Sequence, residues 1–92
     1  IVVKSYFVYI VECSDGSLYT GITTELERRI REHNTSKRGS KYTRARRPVS
    51  LVYYKVMPNR SDAQKEECRI KKLSKKKKLD IINSTTDLGA SK

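Results

Sequence analysis

The sequence predicts a small α+β fold: a three-stranded antiparallel sheet flanked by helices, in the order β-β-α-β-α-α. Three observations lead to it. The chain has 92 residues, enough for one core and too few for two, since domains run from about 50 to 250 residues. Leu, Ile, Val and Phe number 21 of the 92, just above the roughly 20% below which a highly charged chain is expected to be disordered. These residues are clustered into three β-like runs, each bounded by turn or helix-start residues. Three strands alone cannot hold a stable core, so helices must cover the sheet.

Ser5 to Cys13 reads SYFVYIVEC, the pattern of a strand covered on both faces and hence central in its sheet. Ser14-Asp15-Gly16-Ser17 is a turn signal and Leu18 to Thr23 a second strand, so the two form a hairpin. Thr24-Glu25-Leu26-Glu27 fits a capping box, with Thr24 as the cap and Glu27 reaching back, and opens a helix to about Asn34. Residues 35–48 contain Gly39, end at Pro48 and read as a basic loop. Val49 to Val56 is the third strand, broken by Met57-Pro58-Asn59-Arg60. Ser61-Asp62-Ala63-Gln64 fits a second capping box, opening a helix to Lys72 or Leu73, and Ser74 caps a last short helix through Asn83. Residues 1–83 are therefore expected to form a single domain, with 84–92 a flexible C-terminal tail.

The charge is uneven. Lys and Arg number 21 against 10 Asp and Glu, a formal net charge of +11. Residues 1–27 hold a single base, Lys4, whereas Lys37, Arg38, Lys41, Arg44, Arg46 and Arg47 crowd one acid-free stretch. Lys75 to Lys78 form a second basic run. Clustered bases of this kind favour a polyanion, most often nucleic acid. Two cysteines without a C-x-x-C motif argue against a disulfide framework. His33 is the only histidine, which excludes a Cys/His zinc site with several histidines, and no P-loop or G-x-S-x-G occurs. No apolar run approaches the ~18 residues of a membrane span. Ile1-Val2-Val3-Lys4 has the wrong length and flanks for a signal peptide. A cytoplasmic, monomeric protein without membrane attachment is expected.

Helical periodicity marks particular residues. At about 100° per residue, Leu26 and Ile30 define the apolar stripe of the first helix, with His33 about 40° and Arg29 about 80° from its centre. Each has an ordinary reading: a boundary histidine, an arginine whose stem snorkels, and two strand tyrosines at 9 and 19. The spacing adds a second one. Tyr9 lies ten residues before Tyr19, Tyr19 ten before Arg29, and Arg29 four before His33. With Phe7-Val8-Tyr9 on the first strand and Tyr19-Thr20-Gly21 on the second, the chain resembles the GIY-YIG nuclease superfamily. It looks most like the small stand-alone bacterial (URI-domain) members, through VYIVECSDGSLYTGIT, TELERRI, REHN, KYTRARRP and EECRIKKLSK. The resemblance covers about residues 5–80. The first motif lacks its leading glycine, and a late asparagine used in some branches has no secure counterpart.

The resemblance implies a metal-dependent endonuclease hydrolysing phosphodiesters in nucleic acid, DNA rather than RNA, of the kind used in repair or recombination. The implied catalytic set is Tyr9, Tyr19, Arg29, His33 and Glu67. Glu67 would hold one Mg²⁺ or Mn²⁺, Arg29 a phosphoryl oxygen, and Tyr9 or Tyr19 would orient or deprotonate the attacking water, with His33 assisting proton transfer. For the metal ligand the helical stripe points to Glu66, whereas the family's Glu-x-x-Ile-Lys pattern falls on Glu67. The pattern carries more weight. Lys41, Tyr42, Arg44, Arg46, Arg47 and Lys71 are expected to bind nucleic acid, the loop Lys37–Arg47 acting as a flap that orders on substrate. No added specificity domain lies within the 92 residues, so sequence preference should be weak. The alternative is a non-catalytic basic nucleic-acid-binding module on the same fold.

Overall fold

The computed structural model describes residues 5–35 and 40–90, with side chains up to Ser84. Lys37, Arg38 and Gly39 of the basic loop lie outside the described residues. The elements are β1 (Tyr6–Glu12), β2 (Leu18–Thr23), α1 (Leu26–Thr35), α2 (Lys41–Arg44), β3 (Ser50–Met57), α3 (Arg60–Lys71) and α4 (Lys75–Ala90). The sheet is antiparallel with β1 in the middle, in the order β2-β1-β3. The α+β class and the central place of β1 are as the sequence predicts.

The unbroken apolar run of β1 is explained by its two covered faces. Successive strand residues point to opposite sides. Val8 and Ile10 join Tyr53, Ala63, Ile70 and Ile82 in one core, under α3 and α4. Tyr9, Val11 and Cys13 join Val49 in the other, with Tyr19, Leu26 and Ile30 packed against it. The β1–β2 turn places Gly16 at φ 84°, a backbone region where a Cβ is unfavourable. Asp15 accepts from both the amide and the hydroxyl of Ser17, at 3.0 and 2.6 Å, which lowers the carboxyl pKa.

The helix starts differ from expectation in their caps. At α1 the hydroxyl of Thr23, not Thr24, accepts the Glu25 amide at 3.1 Å. At α3 the helix opens earlier than Ser61. Asn59 is the cap, its Oδ1 accepting the Asp62 amide at 2.8 Å. Asn outranks most residues as an N-cap, and the Asn59-to-Asp62 spacing satisfies the first turn before Ser61 is reached. Ser74 does cap α4, accepting from Lys77 N at 3.2 Å. That helix continues past Asn83, where the sequence suggests an end, to Ala90.

Residues 40–48 are not the plain loop expected. Ser40 accepts the Thr43 amide at 3.1 Å and caps the single turn α2. The segment is fastened at both ends. Ser14 N donates to Arg46 O at 2.9 Å. Asn34 pairs through its side chain with the backbone of Val49, donating to its carbonyl at 3.0 Å and accepting its amide at 2.7 Å. The last four carbonyls of a helix lack internal partners, and Arg47 donates to two of them in α1, on Glu32 and His33.

The two caps of α3 separate in a stability measurement. Asn59→Ala should lower urea-denaturation stability by about 0.5–2 kcal/mol, whereas Ser61→Ala should change it by less than about 0.5 kcal/mol. The reverse order would place the cap at Ser61.

Candidate active site

Tyr9 and His33 come together in the core on the α1 side of the sheet. Both are essentially inaccessible, at 1% and 0% exposure, yet each carries polar atoms that burial makes costly to leave unpaired. They satisfy each other. Tyr9 Oη lies 2.7 Å from His33 Nε2. On its far side, His33 Nδ1 lies 2.8 Å from Thr43 Oγ1, and Thr43 is also fully buried.

The Tyr9 ring reaches this position by lying across β2. Tyr9 pairs with Gly21 in the sheet, and a Cβ at Gly21 would stand 2.6 Å from the Tyr9 hydroxyl oxygen and 2.8 Å from the ring carbon bearing it. The φ of Gly21 is not positive, so the glycine is needed for space and not for backbone freedom. Tyr19 contacts His33 edge-on, with centroids 5.4 Å apart.

Arg29 stands at the border of this core, with 26% of its side chain exposed and Glu32 accepting from it at 3.0 Å. Its guanidinium also acts on the Tyr9 phenol, favouring loss of its proton. The local electrostatics follow. Burial pushes the Tyr9 phenol up to about 12, against the pull of Arg29 and with a contribution from the Glu67 charge. Burial, and next the positive field of Arg29, push His33 down to about 4. At neutral pH the phenol is therefore protonated and the imidazole neutral. Bonding to Arg29 holds the Glu32 carboxyl below its ordinary value.

The two adjacent glutamates of α3 face different company. Glu66 is held by Arg69 at 2.6 Å and Lys55 at 3.8 Å, and the Arg69 bond lowers its pKa. Glu67 is 22% exposed and paired with Lys71 at 3.3 Å. Its charge is the one felt at Tyr9. Among the described residues no three His, Cys, Asp or Glu side chains gather. Glu67 is the carboxylate that could meet a divalent cation here, and Mg²⁺ keeps several waters and often takes only one or two protein carboxylates.

These surroundings point to a particular family, and the comparisons agree. Residues 5–80 match the family model for the GIY-YIG catalytic domain. The chain belongs to the GIY-YIG family. Within it the chain is similar to small stand-alone members. It is 53% identical to the UPF0213 protein of Desulfotalea psychrophila over 88% of this chain and 74% of the relative. It is 51% identical to that of Haloquadratum walsbyi over 90% and 92%. The solution NMR structure of protein EF2693 from E. faecalis has 43% identity and a TM-score of 0.62, covering 89% of this chain and 86% of that one.

The GIY-YIG residues anticipated from spacing fall into three groups. Tyr9 and Tyr19 both contact His33, and the charges of Arg29 and Glu67 act on Tyr9. Lys41 and Arg44 are exposed on α2, and Lys71 is exposed but paired with Glu67. Tyr42, Arg46 and Arg47 depart from the expectation of a loose flap. Tyr42 stacks on Tyr19 with centroids 5.9 Å apart, and Arg46 covers its ring at 3.9 Å. Arg46 also donates to Asp15 at 3.1 Å, and Arg47 braces the end of α1. These side chains already have partners inside the protein because the basic segment is docked against the hairpin. Periodicity missed Thr43 and Ser40, since neither lies in a patterned element. The KYTRARRP stretch includes Thr43, whereas Ser40 lies just ahead of it.

Two outcomes follow from this packing. Gly21→Ala should overpack the Tyr9 ring and lower stability by about 1–3 kcal/mol, measured by urea denaturation with Gly16→Ala as a backbone-only control. The second concerns pH. With its folded pKa near 4 against 6.5, His33 binds its proton less readily in the folded state, so its stabilising contribution is present above pH 6.5 and is lost as pH falls toward 4. The loss should be on the order of 2–3 kcal/mol across that window and be missing in His33→Gln.

Proposed function

We propose that this protein is a divalent-metal-dependent endonuclease that hydrolyses phosphodiester bonds in DNA with little sequence preference. The observation that supports it is the buried Tyr9 hydroxyl 2.7 Å from His33 Nε2, with the charges of Arg29 and, more weakly, Glu67 acting on it. A phosphodiester resists hydrolysis because its charge repels the nucleophile and its leaving oxygen is poor. Arg29 answers the first difficulty by holding a non-bridging oxygen and the charge that grows on it. Tyr9 takes a proton from the attacking water as its own passes to His33 Nε2, so the phenol relays a proton without remaining a phenolate. The water oxygen bonds to phosphorus, the bond to the leaving oxygen breaks, and that oxygen takes a proton from solvent. Tyr19 orients the water. Glu67 would hold the Mg²⁺ or Mn²⁺ ion, which supplies charge neutralisation at the scissile phosphate.

The low proton affinity of His33 at rest fits this role. Arg29 is the second cause of the depression after burial. A phosphate bound to Arg29 cancels part of that field, so the imidazole becomes a better proton acceptor once substrate is in place. Lys41 and Arg44, exposed on α2, and Lys71 beside Glu67 are the proposed backbone contacts. Tyr42, Arg46 and Arg47 contribute by holding α2 against the site.

Nicking of supercoiled plasmid and of branched DNA with Mg²⁺ or Mn²⁺ tests the reading. Wild-type protein should nick. Glu67→Ala and Arg29→Ala should lose at least about 100-fold in rate, Glu67→Ala keeping DNA affinity within a few-fold, while Glu66→Ala stays active. Tight binding with no cleavage by the wild type would instead establish the non-catalytic binding module. In the same binding assay, replacing Lys41 and Arg44 by Ala should flatten the log–log salt slope by roughly 0.7–0.9 per lost phosphate contact, and an unchanged slope would move the backbone contacts elsewhere.

A further inference from the structure

The hydrogen bonds around Thr43 fix more than its own position. Thr43 Oγ1 has three polar neighbours: Ser40 O at 3.1 Å, Ser40 Oγ at 3.0 Å and His33 Nδ1 at 2.8 Å. A threonine hydroxyl has one proton and two lone pairs. The carbonyl of Ser40 can only accept, so the Thr43 proton goes there. The remaining two neighbours must then donate to Thr43. Ser40 Oγ is free to do so, because it uses a lone pair to accept the Thr43 amide at 3.1 Å. His33 Nδ1 must therefore carry a hydrogen.

The other end of the chain of contacts points the same way. Arg29, which can only donate, lies on the acceptor side of the phenol and pulls on its proton. The Tyr9 proton, in a residue with 1% exposure, then needs an acceptor, and His33 Nε2 at 2.7 Å is in place. Nε2 accepts only if it carries no hydrogen. Both ends thus select one neutral tautomer, protonated at Nδ1 and bare at Nε2. In free solution a neutral imidazole has no such obligation, and the partner of one ring nitrogen decides the state of the other.

We propose that Thr43 is a positioning residue: by accepting the His33 Nδ1 proton, it keeps Nε2 bare and turned to the Tyr9 hydroxyl, so that Tyr9 can hand over its proton. Ser40 supports it as the α2 cap that fixes the direction of the Thr43 hydroxyl. Thr43 touches no reacting atom. Its effect on cleavage rests on the nuclease reading, whereas its effect on the tautomer does not. Valine at 43 keeps the shape of threonine but cannot accept the Nδ1 hydrogen. Serine keeps the acceptor and loses only a methyl group.

Because His33 is the only histidine, selective ¹⁵N-histidine labelling gives a single imidazole signal set. Long-range ¹H–¹⁵N correlations on the wild-type protein at pH 7 should show the Nδ1-protonated tautomer, and this measurement needs no variant to fold. Thr43→Val should shift the ring toward the Nε2-protonated form, and Thr43→Ser should restore the wild-type pattern. On a cleaved DNA substrate, Thr43→Val should lower kcat at least about tenfold with KM within about twofold, and Thr43→Ser should recover most of the rate. A wild-type ring protonated at Nε2 would overturn the proposal, as would a Thr43→Val spectrum indistinguishable from wild type. Normal kcat with an altered tautomer would overturn its kinetic part. Absence of cleavage by the wild type would strike the nuclease reading alone, since the tautomer result stands without it.

Discussion

The Tyr9 side chain is almost wholly buried, at 1% exposure, and nearly every local feature of the α1 side of the sheet can be traced to keeping its hydroxyl bonded there. A buried unpaired hydroxyl costs about 1–3 kcal/mol. Its partner must come from α1, which requires His33 to point inward from the helix border. The ring must cross β2, which requires the position opposite it to have no side chain, and Gly21 is there. His33 then brings a second polar nitrogen into the core, which requires another buried partner, and α2 delivers Thr43. The single turn of α2 is too short to hold itself. Arg46, Arg47 and Asn34 tie its flanks to the hairpin, to the end of α1 and to the start of β3.

This chain of requirements also explains the aromatic column beside the site. Arg46, Tyr42, Tyr19 and His33 succeed one another at contact distance. A guanidinium over an aromatic face is attracted to the ring and, at a partly exposed position, needs little desolvation. Arg46 is therefore better placed as a clamp on Tyr42 than as a free phosphate ligand. The same bases that give the sequence its polyanion-binding signature divide into two uses. Those in backbone or stacking contacts hold α2, whereas Lys41 and Arg44 stand exposed on its outer surface.

What the sequence disclosed and what it withheld differ by the range of the interaction. The sheet order was legible because β1 alternates between two cores and so carries no polar face. Tyr9, Tyr19, Arg29 and His33 were legible because regular elements convert spacing into position. The capping residues were placed less well. Thr24 and Ser61 satisfy a local pattern, but Thr23 takes the Glu25 amide just ahead of α1 and Asn59 the Asp62 amide within α3, and the pattern alone does not weigh one nearby acceptor against another. Thr43 was invisible to periodicity, since its meaning comes from a ring ten residues away in another helix. Glu66 and Glu67 could not be separated by their helix either. Their difference lies in what pairs with them: Arg69 and Lys55 of β3 for one, Lys71 for the other, whose charge alone of the two acts on Tyr9.

That difference bears on how a single carboxylate can serve a metal-dependent reaction. Glu67 at rest is paired with Lys71, an exposed ion pair of the kind worth at most about 1 kcal/mol. A dication offers the carboxylate a larger charge, yet in a chain of net charge +11 it enters an unfavourable field. On the proposed reading, a DNA strand would change that balance: its phosphates would draw Lys71 away from the carboxylate, screen the surrounding bases and add oxygen ligands of their own. The same strand, by engaging Arg29, would relax the depression of His33. Nucleic acid would thus complete the electrostatics of both halves of the site, so that neither the carboxylate nor the imidazole needs to be fully primed in the free protein.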